Sequence, residues 1–198
     1  MSLISTLAIA MGSAWVSGIN LYACVATLGL LSRFAHLPLP GELEALTSWW
    51  VIGIAVALYI VEFVADIVPW IDSTWDVIHT FIRVPAGAVL AAAALGDFDR
   101  SIQVIALLLG GGLALSSHGT KAATRAILNT SPEPVSNVLA SVVEDVVAIL
   151  STIASVFFPI LLFIIVGLGV GISIYLFHRI LRFFRTVSRK ISGWLAPA

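Results

Sequence analysis

Asp72, Asp76, His79 and Arg83 follow one another at spacings of 4, 3 and 4 residues. On a helix they fall within about 60° of one another and form a single stripe. His118, Lys121 and Arg125 repeat the pattern at spacings of 3 and 4, and Glu62 and Asp66 lie one turn apart. Ser141, Glu144, Ala148, Ser151 and Ser155 share a small polar face, with Asp145 directly after Glu144. Acids, bases and fixed cations gathered on helix faces can relay protons, hold an ion or bind a charged solute.

Two other chemistries fit less well. Asp76 and His79 with Glu62 or Glu144 have the residue types of a manganese, iron or zinc site. Arg83, Lys121 and Arg125 among them argue against a cage for a dication, so no metal and no cofactor is expected. Ser116, Ser117 and His118 offer a nucleophile and a base, but adjacent helical residues point in different directions. With no phosphate loop, metalloprotease helix or cysteine pair in the chain, an enzyme is not expected.

The elements that carry these stripes are apolar. Hydrophobic residues make up 60% of the 198 and charged residues 11%, against roughly 25% in a soluble domain. Mean hydropathy is +1.07. A soluble protein this small needs far more polar surface, so the solvent is lipid. The reading is all-α: a polytopic bundle of about six transmembrane helices in a single membrane domain, 1–198. The N-terminal run is read as a retained helix, because no basic side chain precedes it and it runs too far for a signal peptide.

Helix one is expected over Leu3–Phe34, broken near Gly18 and Asn20. Helix two runs from Leu43 to Val68 and stops before Pro69. Helix three starts at Asp72 or Ser73, either of which could cap it, and ends near Leu95. Gly96-Asp97-Phe98-Asp99 is a turn. Helix four spans Arg100–Asn129, with a break at Gly119, and helix five starts near Val135 after the loop Ser131–Pro134. Helices five and six divide at Ser151-Thr152 or at Phe158-Pro159.

Arg179, Arg182, Arg185, Arg189 and Lys190 crowd the C-terminal tail, 179–198. The positive-inside rule makes that tail cytoplasmic, and six crossings then put both termini on the cytoplasmic side of the cell's inner membrane. Phe183, Phe184, Ile191 and Trp194 add apolar partners for an anionic lipid surface. The expected partners are the bilayer, anionic lipid at the tail, a small ion or solute and a second copy of the chain. With a net charge of −1, nucleic acid is not among them.

The six helices divide into halves, 1–97 and 98–178, each with a Gly- and Ser-bearing helix followed by an acidic one. Three crossings per half would insert them as inverted repeats, a recurring transporter plan. The ionisable set numbers six carboxylates, Glu62, Asp66, Asp72, Asp76, Glu144 and Asp145, against three firm cations. An uncompensated surplus cannot sit in hydrocarbon, so protons, a bound cation or water must balance it. Glu62, Asp66, Asp76, Arg83, Lys121 and Glu144 are expected to converge, lining a path for an ion or small polar solute. The alternative is a non-transporting assembly or lipid-interacting protein whose charges lock helices together.

Ser17-Gly18-Ile19-Asn20, Val61-Glu62 through Pro69 and Asp72, and Ser117-His118-Gly119-Thr120-Lys121 carry a resemblance. Over roughly residues 5 to 175 the chain resembles a family of small bacterial and plastid-type membrane proteins grouped as a domain of unknown function. That resemblance implies a membrane bundle and supplies no activity.

Overall fold

The computed structural model describes residues 1–129 and 134–195, and their side chains except at 69, 73, 134, 180, 181 and 183–195. Six long helices follow in order: α1 (Leu3–Phe34), α2 (Trp49–Ile67), α3 (Pro69–Ala94), α4 (Arg100–Leu128), α5 (Pro134–Phe157) and α6 (Pro159–Leu195). Among the described residues there is no strand. Helices α2 to α6 each contain a segment long and apolar enough for the hydrocarbon layer, and the stretch 3–34 meets the same length and composition before its break is considered. Trp50, Trp70, Phe81 and Ile160 are more than 70% exposed on the outer surface, a costly arrangement in water and a favourable one in lipid. The chain is a multi-pass integral membrane protein.

Prolines punctuate the chain. Pro69 opens α3 at its first position, where the missing N–H has no intrahelical partner to lose. Val68 alone separates α2 from α3, so α3 starts three residues before Asp72 and four before Ser73, the expected caps. Between α5 and α6 the break is at Phe158-Pro159, and Ser151-Thr152 lie inside α5. The start expected for α2 at Leu43 is a short 3-10 segment instead, Gly41–Thr47, and α2 begins at Trp49. Gly41 has φ +55°, and a Cβ there would overlap Ala93 O. The left-handed turn needs glycine on both counts.

The largest difference from the sequence reading lies in α1. Its helical dihedrals fail at one residue, Asn20, with φ −148° and ψ 101°. The chain reverses there. Cys24 Sγ lies 3.8 Å from Ser13 O, whereas eleven residues of straight helix would separate them by about 16 Å. Met1, Leu3 and Thr6 line one recess together with Pro38–Gly41 from beyond the other end of the helix. α1 is therefore a re-entrant hairpin with arms 3–19 and 21–34. Gly18 is not the break; it is the contact. A Cβ at Gly18 would overlap Ser117 Oγ and Ala114 O, so the first arm can sit against α4 only with glycine there. Nor does α4 break at Gly119, where helical dihedrals continue.

The hairpin is the centre of the bundle, packed on all five other helices. Ala8, Ile9, Ala14, Val16, Cys24 and Leu28 are fully enclosed. The neighbours of the first arm give the direction of α6: Gly12 sits against Leu162, and Trp15 against Gly169. α6 thus runs parallel to that arm and continues past its tip. Within the described residues, the start of α1 and the later part of α6 therefore lie toward opposite ends of the bundle, where the sequence reading expects both termini on one side. Labelling of single cysteines in intact cells checks this. Ser2→Cys and His36→Cys should react from the same side, and Pro197→Cys from the other. Identical behaviour of positions 2 and 197 would rule out the hairpin.

Candidate functional site

The hairpin tip ends both arms inside the protein, where their free backbone groups need partners. Asn20 caps the second arm: its extended backbone turns Oδ1 onto the N–H of Ala23 at 2.9 Å. Its amide nitrogen donates to Asp145 Oδ1 at 2.9 Å. Lys121 Nζ donates to Ile19 O at 3.4 Å, at the carbonyl end of the first arm. Each arm end thus meets a charge of the sign its dipole favours, Lys121 at the carbonyl end and Asp145 at the amide end.

Around the tip, α2 to α5 bring their ionisable stripes together. Arg83 Nη2 lies 2.7 Å from Glu62 Oε1, and its Nη1 lies 3.3 Å from Asp76 Oδ1. Lys121 Nζ faces three carboxylates: Asp66 at 2.9 Å, Glu144 at 3.3 Å and Glu62 at 3.6 Å. Arg125 Nη2 reaches Glu144 at 2.7 Å and Asp66 at 3.3 Å, with Asp72 3.8 Å from Nη1. Asp72 is wholly buried and also accepts from Asn129 Nδ2 at 2.7 Å, so it belongs to the network and not to the membrane surface. Glu144 and Asp145 are adjacent and diverge: Glu144 takes the cations, while Asp145 accepts from Asn20 and from Tyr59 OH at 2.8 Å.

The histidines add no charge that the geometry requires. Arg83 can only donate, so His118 Nδ1, 3.2 Å away, accepts and the ring proton falls on Nε2. That proton meets Thr80 Oγ1 at 2.7 Å, and Thr80 donates on to Asp76 O. His79 Nδ1 donates to Trp75 O at 2.9 Å, leaving Nε2 to accept from Tyr22 OH at 3.2 Å. Six carboxylates therefore face three cations, a formal surplus of three negative charges. Glu62 Oε2 and Asp66 Oδ1 are buried with no hydrogen-bond partner. Such oxygens can accept a proton or a cationic ligand. Among the described residues no three histidine, cysteine or acidic side chains are arranged to hold a metal.

All ten expected path residues, Glu62, Asp66, Asp76, His79, Arg83, His118, Lys121, Arg125, Glu144 and Asp145, meet in this one region. Gly119 lies apart from it, with open space beside its Cα. The side chains of Arg185, Arg189 and Lys190, and of Phe183, Phe184, Ile191 and Trp194, lie outside the described residues. Sequence reasoning missed Tyr22, Tyr59, Thr80, Asn129 and Asn137, whose carbonyl accepts from Arg125 Nη1 at 3.3 Å and whose amide donates to Asn129 Oδ1 at 2.9 Å. Helical spacing was the available signal for three of them: Tyr59 is three before Glu62, Thr80 four after Asp76, and Asn129 four after Arg125.

Arg83 tests how far the network supports the fold. Arg83→Met leaves Glu62 and Asp76 with one cation fewer in a site closed to solvent. Breaking a buried pair in this way costs about 3–5 kcal/mol. Purified in detergent, the variant should show lower folded yield and a lower unfolding temperature. Wild-type stability would mean that these carboxylates do not depend on Arg83.

A family model described as a domain of unknown function, DUF4126, matches residues 7–179. No curated protein and no solved structure matches the chain. The matched stretch takes in most of the α1 hairpin and every ionisable residue of the network, and the chain belongs to the DUF4126 family.

Proposed function

We propose that the protein is a small transporter or channel for an ion or small polar solute, coupled to proton movement. The observation that carries this reading is the break at Asn20: two half-helix ends face a charge network buried inside the bundle. Interrupted helices with ends aimed at charged groups are how transporters build sites in hydrocarbon. In this reading Glu62, Asp66, Asp76 and Glu144 exchange protons. Lys121 and Arg125 hold an anionic group or serve as counter-ions. His79, His118 and Asp145 flank the path. The basic tail lies on the cytoplasmic side of the inner membrane against anionic lipid.

A second reading has its own support. Arg83 and Glu62 are wholly buried and 2.7 Å apart, which suits a permanent lock between α3 and α2. A lock need not conduct, and the protein would then be a non-transporting assembly or lipid-interacting protein.

Flux in reconstituted vesicles separates the two. Glu62→Gln and Glu144→Gln keep the shape of each side chain while removing its charge. Under the transport reading both variants fold, and the dependence of flux on pH changes or disappears. Under the lock reading folded yield falls and wild-type vesicles carry no flux. An unchanged pH dependence in both variants would remove proton coupling.

A further inference from the structure

Beside the network, between the first arm of α1 and helices α4, α5 and α6, lies a cavity of about 600 Å³. That volume is in the range of small-molecule sites. Its wall is apolar, with Val143, Val147, Leu168 and Ile172 exposed on the lipid-facing surface. Trp15, Lys121 and Glu144 from the interior also line it. The cavity therefore joins the lipid side of the bundle to the edge of the charge network.

The sign of charge presented to it follows from the contacts. Lys121 has three proton donors and four oxygens around it, from Asp66, Glu144, Glu62 and Ile19. Its side chain is 2% exposed, whereas that of Glu144 is 16% exposed. Glu144, itself held by Arg125 at 2.7 Å and Lys121 at 3.3 Å, is thus the more open ionic group on this wall, in a network with twice as many carboxylates as cations. We infer that this cavity is a binding site for a hydrophobic organic cation that enters from the lipid, its charge beside Glu144 and its apolar body against Val143, Val147, Leu168 and Ile172. This goes beyond the transport reading: a site for such a cation can exist in a protein that moves nothing.

Tetraphenylphosphonium and tetraphenylborate test it, being close in size and apolar surface and opposite in charge. Binding of each is measured to the full-length protein in nanodiscs of zwitterionic lipid, with empty discs subtracted. The phosphonium should bind saturably, and tighter than the borate by about tenfold or more. Val143→Trp, which fills the cavity while every ion-paired residue is kept, should abolish that binding. Glu144→Gln should remove the preference for positive charge. No saturable phosphonium binding, borate binding of equal strength, or phosphonium binding unchanged in Val143→Trp would each overturn the proposal. Loss of flux in vesicles with phosphonium binding intact would count against transport alone.

Discussion

A charged side chain cannot be left facing hydrocarbon, and among the described residues this protein buries eight of them between its helices, with Glu144 partly open beside them. That constraint explains the arrangement of the bundle. Arg83, Lys121 and Arg125 come from two helices, and their partners come from α2, α3 and α5. No pair of neighbouring helices could satisfy them alone. Lys121 needs α2 and α5 at once, and Arg125 joins α2, α3 and α5. The apolar surface holds the helices in the membrane, where lipid competes equally for apolar contact. The ionic contacts select which faces turn inward.

The α1 hairpin follows from the same constraint. A straight α1 would need no partner for its central backbone, because each N–H would meet a carbonyl four residues away. Reversal at Asn20 opens that ladder inside the membrane, where exposed backbone groups are costly. The opening is tolerated because polar partners are at hand. Asn20 supplies its own cap, Lys121 reaches Ile19 O, and Asp145 holds the Asn20 amide. The hairpin and the network are thus mutually dependent. The network supplies polar groups for the broken helix, and the helix ends supply dipoles to a site with more acids than bases.

Small residues let this happen in little space. Gly18 brings the first arm onto α4 at Ser117, whose hydroxyl donates to Trp15 O at 2.5 Å. Gly87 of α3 approaches Ser17 and Ala114 closely, so three helices meet where none has a large side chain. The result places His118 and Arg83 side by side, one residue beyond the packing contact on α4 and four residues before Gly87 on α3. Close backbone packing and buried charge are consecutive along the same helices.

Much of this was legible in the sequence because it depends on local rules. Hydropathy located the apolar helices, Pro69 located the end of α2, Phe158-Pro159 was one of two candidates for the break before α6, and spacing of 3 and 4 showed that Asp72, Asp76, His79 and Arg83 share a face. The prohibition on charge in lipid then required those faces to turn toward one another. Which acid meets which cation was not legible, since pairing depends on helix rotation and depth, and these are set by packing between segments far apart in the chain. The path of α1 was also hidden. A hairpin of two apolar arms and one long apolar crossing have the same composition, and Asn20 reads as a polar residue in either. Only contacts made in three dimensions, Cys24 against Ser13 and Asn20 against Asp145, decide between them. Side-chain bonds from distant helices offset the cost of opening the helix, and that gain has no local signature.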